Sequence, residues 1–266
     1  MSSSQRTAIV TGASKGIGLA VVKRLLADGC TVIAGARSST PELDALIADD
    51  SHDPHDAGGG VEFVSADLSQ PGAAERLVAA AGDRVDILVN NVGATTSRVD
   101  GFLSITDEQW MASLNLNFLA AVRMCRAVVP GMLAAGSGVI VNVASVNAFL
   151  PDPGVMDYSA AKGALLNFAK ALSKEVGPAG IRVNSVDPGP VATDLWLGNA
   201  GVAHTVGAAN GITPEQVAEN ALSSSATKRF TQPSEVAEVV AFLADERLPN
   251  LTGSAITIDG GLIPTL

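Results

Sequence analysis

The chain is poor in aromatic residues and in cysteine. Aromatic residues make up 4% of its 266 positions, and Tyr158 is the single tyrosine. The two cysteines, Cys30 and Cys125, lie in apolar stretches far apart in the sequence. This usage excludes a disulfide-stapled secreted domain, so we expect buried, reduced thiols and a cytoplasmic protein.

Long hydrophobic runs and positive charge are also scarce. The uninterrupted apolar runs fall well short of the roughly 20 residues that span a bilayer, and the opening "MSSSQR" lacks the apolar segment of a signal peptide. We therefore expect no membrane association. The formal net charge of −10 argues against a nucleic-acid partner, because a phosphate backbone attracts basic surfaces.

Apolar strand-like segments alternate with helical ones along the whole chain. Strands are predicted at 7–12, 30–36, 61–67, 85–91, 138–145, 181–189 and 253–261, and helices at 18–29, 41–48, 70–82, 107–135, 156–177 and 234–245. Continuous Val/Ile/Leu strands separated by helices are typical of a parallel sheet covered on both faces. The sequence predicts one α/β domain over 1–266, a doubly wound parallel sheet of about seven strands.

Two segments interrupt this alternation. "DDSHDPHDAGGG" (49–60) has an acidic, glycine-ending composition typical of a solvated loop, and its histidine spacing fits no tight metal site, so we predict no metal. The segment 194–230 is longer than an ordinary connection and contains one plausible helix at 214–224. Long insertions beside α/β active sites are often lids, and we predict that role here. His204, within this segment, is expected to be a surface residue.

The stretch "VTGASKGIG" runs from the first predicted strand into the first helix. Gly12 permits a tight turn, Gly16 lets the backbone approach a pyrophosphate, and Gly18 lets the helix pack close to the strand. The helix N-terminus offers free N–H groups and partial positive charge to phosphate. A simple strand–helix connection is the alternative, but its position in the first βα turn favours a dinucleotide site.

The residues after the second strand favour NADP over NAD. Ala36 stands where an NAD enzyme usually carries an acid for the ribose 2′-hydroxyl, and Arg37 follows it. Lys15 lies inside the glycine loop, so two cations can flank a 2′-phosphate. A solvated arginine at a strand end is the alternative.

Tyr158 opens the stretch "YSAAK", which places Lys162 four residues later on the same helix face. A phenol ordinarily has a pKa near 10, and we expect the ammonium, together with a positively charged cofactor ring, to lower it. Such a phenol can act as a general acid towards a carbonyl or a base towards an alcohol. Ser145, at the carboxyl end of the fifth strand, could donate to the substrate oxygen, although a turn or cap serine is the alternative.

Taken together, these motifs make the chain resemble the short-chain dehydrogenase/reductase family over essentially its whole length. The matching segments are "TGASKGIG", "AD" at 66–67, "NNVG" at 90–93, the asparagine of "NFLAAV", Ser145, "YSAAK" and "DPGPVAT" at 187–193. The resemblance implies a Rossmann-type fold and a homotetramer or homodimer. One departure is Val92, where alanine is commoner; we expect it to crowd the cofactor slightly.

The resemblance also implies roles for individual residues. It implies a catalytic set of Asn117, Ser145, Tyr158 and Lys162, with Asn115 as a rival to Asn117 for holding a water that links Lys162 to solvent. Asn90 would support the fourth strand. The implied cofactor-binding residues are Gly12, Ser14, Lys15, Gly16, Ile17, Gly18, Arg37, Asp67, Leu68, Asn91, Gly93, Tyr158, Lys162, Pro188, Gly189, Val191 and Thr193.

The expected activity is NADPH-dependent reduction of a ketone or aldehyde, reversible to alcohol oxidation. Substrate-contacting residues are predicted to be Ser145, Asn147, Phe149, Val155 and Trp196, with Val146, Leu150, Met156 and Leu195 nearby. Most are apolar, which favours a hydrophobic carbonyl and leaves a 3-oxoacyl thioester, a cyclic ketone and a small apolar ketone open. The alternatives are a non-catalytic NADP-binding protein and a sugar-nucleotide epimerase or dehydratase.

Overall fold

A seven-stranded parallel sheet forms the centre of the protein, in a computed structural model that describes residues 5–50, 59–82 and 84–265. The strand order is β3-β2-β1-β4-β5-β6-β7, and every neighbouring pair is parallel. The strands are β1 (Thr7–Thr11), β2 (Thr31–Ala36), β3 (Val61–Ser65), β4 (Ile87–Asn90), β5 (Gly138–Val143), β6 (Ile181–Pro188) and β7 (Ala255–Ile258).

Helices cover both faces of this sheet. They are α1 (Gly16–Ala27), α2 (Pro41–Asp50), α3 (Ala73–Ala80), α4 (Asp107–Leu114), α5 (Ala120–Ala135), α6 (Met156–Val176), α7 (Asp194–Leu197), α8 (Val202–Asn210), α9 (Pro214–Leu222) and α10 (Pro233–Ala244). Residues of α1 and α10 form the core on one face, and residues of α3, α5 and α6 form it on the other. The predicted single-domain, doubly wound fold is confirmed.

The chain order of the strands creates the crevice that a ligand needs. From β1 the chain adds β2 and then β3 on one side, and it returns to pair β4 on the other side of β1. Loops after β1 and β4 therefore diverge, and open α/β sheets bind ligands at this point, beyond the carboxyl ends of the strands.

Several predicted elements are longer than the observed ones. The strands predicted at 61–67, 85–91 and 253–261 end at Ser65, Asn90 and Ile258, because the following residues turn away from the sheet. The helix predicted at 107–135 is three segments: α4, a π-helical turn at Asn115–Leu119, and α5. Most of the acidic segment 49–60 lies outside the described residues.

The stretch Asp107–Ala135 is apolar and long enough to cross a membrane by composition alone. However, α5 packs one face against the sheet, where Met124, Cys125 and Met132 are buried in the core. A core helix of this kind passes the same compositional test, so the stretch is accounted for by the fold.

Candidate active site

A cavity of about 870 Å³ lies beyond the carboxyl ends of the central strands. It runs from the glycine loop after β1, past the ends of β4 and β5, to the segment after β6. Predicted site residues that line it are Gly12, Ser14, Lys15, Gly16, Ile17, Arg37, Asp67, Leu68, Asn91, Gly93, Ser145, Asn147, Val155, Tyr158, Lys162, Pro188, Gly189, Val191, Thr193 and Trp196. The fold thus brings together residues spread over almost 200 positions.

The glycine loop has the geometry that a phosphate-binding turn requires. Gly12 and Gly16 have φ of 65° and 56°, a region that side chains with a Cβ rarely adopt. Lys15 precedes α1, and its side chain makes no capping hydrogen bond to that helix. The first N–H groups of the 12-residue α1 therefore remain open to a pyrophosphate, so the loop fits a dinucleotide.

Gly18 is predicted to contact the cofactor, but it does not line the cavity. A Cβ on Gly18 would lie 2.1 Å from the Gly12 carbonyl oxygen and 2.6 Å from Nδ2 of Asn91. Its role in the structure is to let α1 approach the turn after β1. This agrees with the close packing of helix and strand that the motif predicts, whereas the cofactor contact of Gly18 stays a prediction.

The end of the cavity next to β1 and β2 carries both cations that sequence analysis singled out. Ala36 ends β2 and Arg37 follows it into the cavity lining. Lys15 Nζ lies 3.2 Å from Oδ2 of Asp194, at the start of α7. Asp67 accepts two hydrogen bonds from Ser69, which lower the pKa of its carboxyl.

Asn91 and Asn90 support the loops around the cavity. Asn91 Nδ2 donates to the carbonyls of Thr11 and Gly12, at 2.9 and 3.2 Å, and so joins the end of β4 to the glycine turn. Asn90 is buried and donates to Oδ1 of Asn142 on β5, at 3.0 Å. The expected supporting role of Asn90 agrees with these contacts.

Asn117 and its rival Asn115 make different contacts in the structure. Asn115 lies away from the site, since its Nδ2 donates to the carbonyl of Ser69 and its Oδ1 accepts from Arg123. Asn117 is buried in the π-turn, donates to the carbonyl of Ala94 and accepts from its N–H, at 2.9 and 3.0 Å. Single π-turns of this kind are frequent at functional sites.

Gly93 marks the point where Asn117 and Lys162 converge. A Cβ at Gly93 would lie 2.9 Å from Oδ1 of Asn117 and 3.5 Å from Nζ of Lys162. The absence of a side chain thus leaves room for both polar groups behind the cavity wall.

Ser145, Tyr158 and Lys162 meet at the far end of the cavity. Ser145 follows β5, and its hydroxyl accepts from the N–H of Asn147 at 3.2 Å. Tyr158 and Lys162 lie on one face of α6, and Lys162 Nζ is 5.6 Å from the centre of the Tyr158 ring. Lys162 also donates to the Val143 carbonyl at 2.8 Å, which holds the ammonium at the end of β5.

Burial controls the ionisation of both groups on α6. Burial raises the pKa of the Tyr158 phenol above its usual value, and a hydrogen bond with Ser145 partly offsets this. Burial also lowers the pKa of Lys162 to about 8, against an opposing effect of the Asp187 carboxylate. For the chain alone, burial outweighs that hydrogen bond, so the pKa of Tyr158 lies above that of a free phenol; the expected lowering concerns the protein with NADP+ bound and stays a prediction.

Phe149 is the predicted substrate residue that the structure does not place in the cavity. The chain makes a single 3-10 turn at Val146–Ala148 after Ser145, and Phe149, at its end, is 47% exposed. Met156, named as a neighbour of the substrate site, also lies outside the cavity lining. The residues around them, Val146, Asn147, Leu150 and Val155, do line the cavity.

Sequence reasoning missed several residues that line the cavity near Tyr158 and Trp196. They are Pro151, Asp152, Pro153, Val202, Ala221 and Leu262. The first three lie in the connection before α6, and the others come from α8, α9 and the segment after β7. No local motif marks the last three, since only the tertiary fold brings them to the cavity.

A buried ion pair beside Tyr158 was also missed. Arg98 donates to both carboxylate oxygens of Asp157, through Nε at 3.2 Å and Nη2 at 2.5 Å. The two side chains are 11% and 3% exposed. Arg98 also donates its backbone N–H to Gly154, so it ties the loop after β4 to the start of α6.

Comparison with known proteins identifies the family to which the chain is similar. The model of the short chain dehydrogenase family matches residues 6–200. A 3-oxoacyl-[acyl-carrier-protein] reductase of Synechocystis is 33% identical, over 97% of each chain, and the L-xylulose reductase of Bos taurus is 34% identical, over 98% of this chain and 97% of that one. The structure of L-sorbose reductase from Gluconobacter frateurii, complexed with NADPH and L-sorbose, superposes with a TM-score of 0.86 at 32% identity, covering 99% of this chain and 98% of that one.

The chain belongs to the short-chain dehydrogenase family. It is an oxidoreductase that uses a nicotinamide cofactor and acts on a small-molecule substrate.

Proposed function

We propose that the protein is an NADPH-dependent reductase of an uncharged, largely apolar ketone or aldehyde, and that it also oxidises the corresponding alcohol. The observation that carries this proposal is the convergence of Ser145, Tyr158 and Lys162 at one end of a cavity whose other end is a glycine turn flanked by Lys15 and Arg37.

The cofactor would lie across the carboxyl ends of the strands. The first turn of α1 would bind its pyrophosphate, and Lys15 and Arg37 would neutralise a 2′-phosphate. Asp67 and Leu68 would contact the adenine, and the segment Pro188–Thr193 would hold the nicotinamide. When bound, the reduced nicotinamide supplies the hydride.

The residues at the other end of the cavity would transfer the proton to the substrate. Ser145 would donate a hydrogen bond to the carbonyl oxygen, and Tyr158 would give that oxygen its proton. Lys162, fixed by the Val143 carbonyl, would place positive charge beside the phenol as it ionises. Asn117 would hold the wall behind Lys162 and provide a polar route to it.

The charges in the cavity favour a neutral substrate. Within the described part of the chain, the cations that line the cavity are Lys15, Arg37 and Lys162, and all three belong to the cofactor and proton-transfer groups. The substrate end adds Leu150, Trp196 and other apolar side chains, and Asp152 there would repel a carboxylate. A net charge of −10 also opposes an acidic carrier protein as substrate donor.

Residues 194–230 would act as the lid. Leu195 and Trp196 of α7, Val202 of α8 and Ala221 of α9 line the cavity, so this segment already forms one wall. Trp196 packs edge-on against Phe230, with ring centres 5.6 Å apart. The segment can therefore exclude water from the reacting groups when it closes.

The test is consumption of NADPH against a panel of neutral and carboxylated carbonyls. Turnover should be confined to neutral compounds, and Tyr158→Phe should lower it by about 10²- to 10⁴-fold while leaving NADPH binding nearly unchanged. Phe149→Leu, which lies outside the cavity, should keep wild-type turnover. NADPH binding without turnover of any carbonyl would instead support a non-catalytic NADP-binding protein.

A further inference from the structure

The strongest unexplained feature of the protein is the carboxyl of Asp187, near the end of β6. Asp187 is 0% exposed, and neither of its side-chain oxygens has a hydrogen-bond partner among the described residues. Buried carboxylates without partners are rare, because desolvating them costs several kcal/mol, about as much as one strong interaction returns. The feature therefore calls for a functional account.

The sheet directs Asp187 towards α6. On β6, Ile181 and Val183 belong to the core on the α6 side, whereas Val186 belongs to the core under α1 and α10. Alternation along the strand puts Asp187 on the α6 side. Lys162 Nζ reaches that side at the Val143 carbonyl, and Val143 pairs with Val186 in the β5–β6 register.

We propose that Asp187 is a positioning residue that holds Lys162 in its charged form, and that this buried pair sets the pH range over which Tyr158 transfers its proton. The role rests on the proposed function of Tyr158 and Lys162. Asp187 does not line the cavity, so it acts through Lys162 and not on a ligand.

The charges on the two groups support this assignment. Burial raises the pKa of Asp187 to about 7, and Lys162 is the charge that opposes this effect. Conversely, Asp187 is the charge that keeps the pKa of Lys162 from falling further than about 8. Near neutral pH, each group thus favours the ionised form of the other.

The other titratable groups near Asp187 and Lys162 make their own contacts. Tyr158 shares the face of α6 with Lys162. Asp157, on the same helix, is paired with Arg98. Asp259, after β7, accepts from the N–H groups of Gly261 and Ile263. Among the described residues, Asp187 is therefore the carboxyl whose charge acts on Lys162.

The direct test is a titration of lysine side chains in the full-length protein by NMR, without added cofactor. The chain has six lysines, and the Lys162 signal is identified by its loss in Lys162→Met. In the wild type this signal should titrate near pH 8, well apart from exposed lysines near about 10.4. In Asp187→Asn its midpoint should fall by at least about one pH unit, since the opposing charge is gone.

The control is Asp259→Asn, which removes one carboxylate from the end of the neighbouring strand. It should leave the Lys162 midpoint in place. An unchanged midpoint in folded Asp187→Asn would overturn the proposal. Should that variant fail to fold, the wild type still decides: a Lys162 midpoint below about 6, or an Asp187 carboxyl that stays protonated above about pH 8, would also overturn it.

Turnover adds a second readout that a purely structural role would not move. At pH 8, Asp187→Asn should reduce the carbonyl substrate about tenfold more slowly than the wild type. At pH 6 the two rates should agree within about threefold, because in the variant Lys162 stays charged only at acidic pH. An equal loss at both pH values would contradict the role. Absence of all turnover in wild type would defeat the proposed function, while the NMR result would still report on the Asp187–Lys162 coupling.

Discussion

Replacing Arg98 with methionine should destabilise the protein far more than removing a surface arginine. The variant keeps an apolar stem of similar length but leaves the Asp157 carboxylate buried without its cation. Two side-chain hydrogen bonds are lost, from Nε and Nη2, whereas the backbone hydrogen bond from position 98 to Gly154 remains.

The expected loss at pH 7 is about 3–4 kcal/mol in the free energy of unfolding. Removing one partner of a buried ion pair costs about 3–5 kcal/mol. The stranded carboxylate can limit the penalty by taking a proton. With an ordinary pKa of about 3.9, protonation at pH 7 costs about 1.36 kcal/mol for each of roughly 3 pH units, which sets a ceiling near 4 kcal/mol.

The pH dependence follows from the same carboxyl. In the wild type, Arg98 holds the pKa of Asp157 below its ordinary value against the effect of burial. That stabilisation is present above the unfolded pKa and is lost as the pH falls through the folded one. In Arg98→Met, burial is opposed only by the hydrogen bonds to Asp157 from the backbone and from Ser113, so we expect its pKa to rise and the variant to lose stability as the pH rises from 4. The difference between the two proteins should therefore be largest at pH 7 and small at pH 4.

Urea unfolding at both pH values measures this difference. Arg24→Met is the matched control, because Arg24 donates to Glu238 at 2.8 Å with side-chain exposures of 31% and 63%. It should cost about 1 kcal/mol or less. Adding Asp157→Asn to Arg98→Met should restore much of the loss, since the buried charge is removed. A loss below about 1 kcal/mol for Arg98→Met, or an equal loss at pH 4 and pH 7, would refute the reasoning.

Three further outcomes are expected. Wild type should prefer NADPH, and Ala36→Asp with Arg37→Ile should shift the ratio of kcat/KM towards NADH; equal wild-type use of both cofactors would contradict the assignment. Hydrogen exchange across 194–230 should slow when NADP+ and an alcohol substrate are added, and equal exchange would count against a lid. Light scattering at micromolar concentration should report a homotetramer or homodimer, because Met111 on α4 is 60% exposed and Leu133 on α5 is 47% exposed, which is apolar surface that a second copy would cover; a monomer would exclude it.

The fold was predictable because its signals are local. Each buried strand is a short β-branched run, and each helix shows its own periodicity, so the alternation alone leads to a parallel sheet. The glycine turn and the Tyr158–Lys162 pair are also local, since each is set by spacing along one element. Strand and helix ends were less well predicted, as the π-turn at Asn115–Leu119 shows, because hydrogen-bond geometry and not hydrophobicity decides them.

The features that could not be predicted from the sequence depend on contacts between distant segments. Arg98 and Asp157 are 59 positions apart, and nothing in either neighbourhood marks them as partners. The exposure of Phe149 depends on one 3-10 turn that redirects the chain. Val202 and Leu262 reach the cavity only because α8 and the segment after β7 pack over it.

The ionisation of Tyr158 shows most clearly why the spacing of two residues along a helix is not enough to predict a pKa. A cation four residues away predicts a lowered pKa, yet the same helix face that brings Lys162 close also removes both groups from water. Desolvation disfavours the phenolate and the ammonium alike, and it does so more strongly than one partner can offset. A phenol that is hard to ionise holds its proton at neutral pH, which suits a group that must donate that proton to a carbonyl oxygen. Reduction can therefore begin from the resting form of the phenol, whereas alcohol oxidation would need the added positive charge of the oxidised nicotinamide to draw the phenol towards its ionised form.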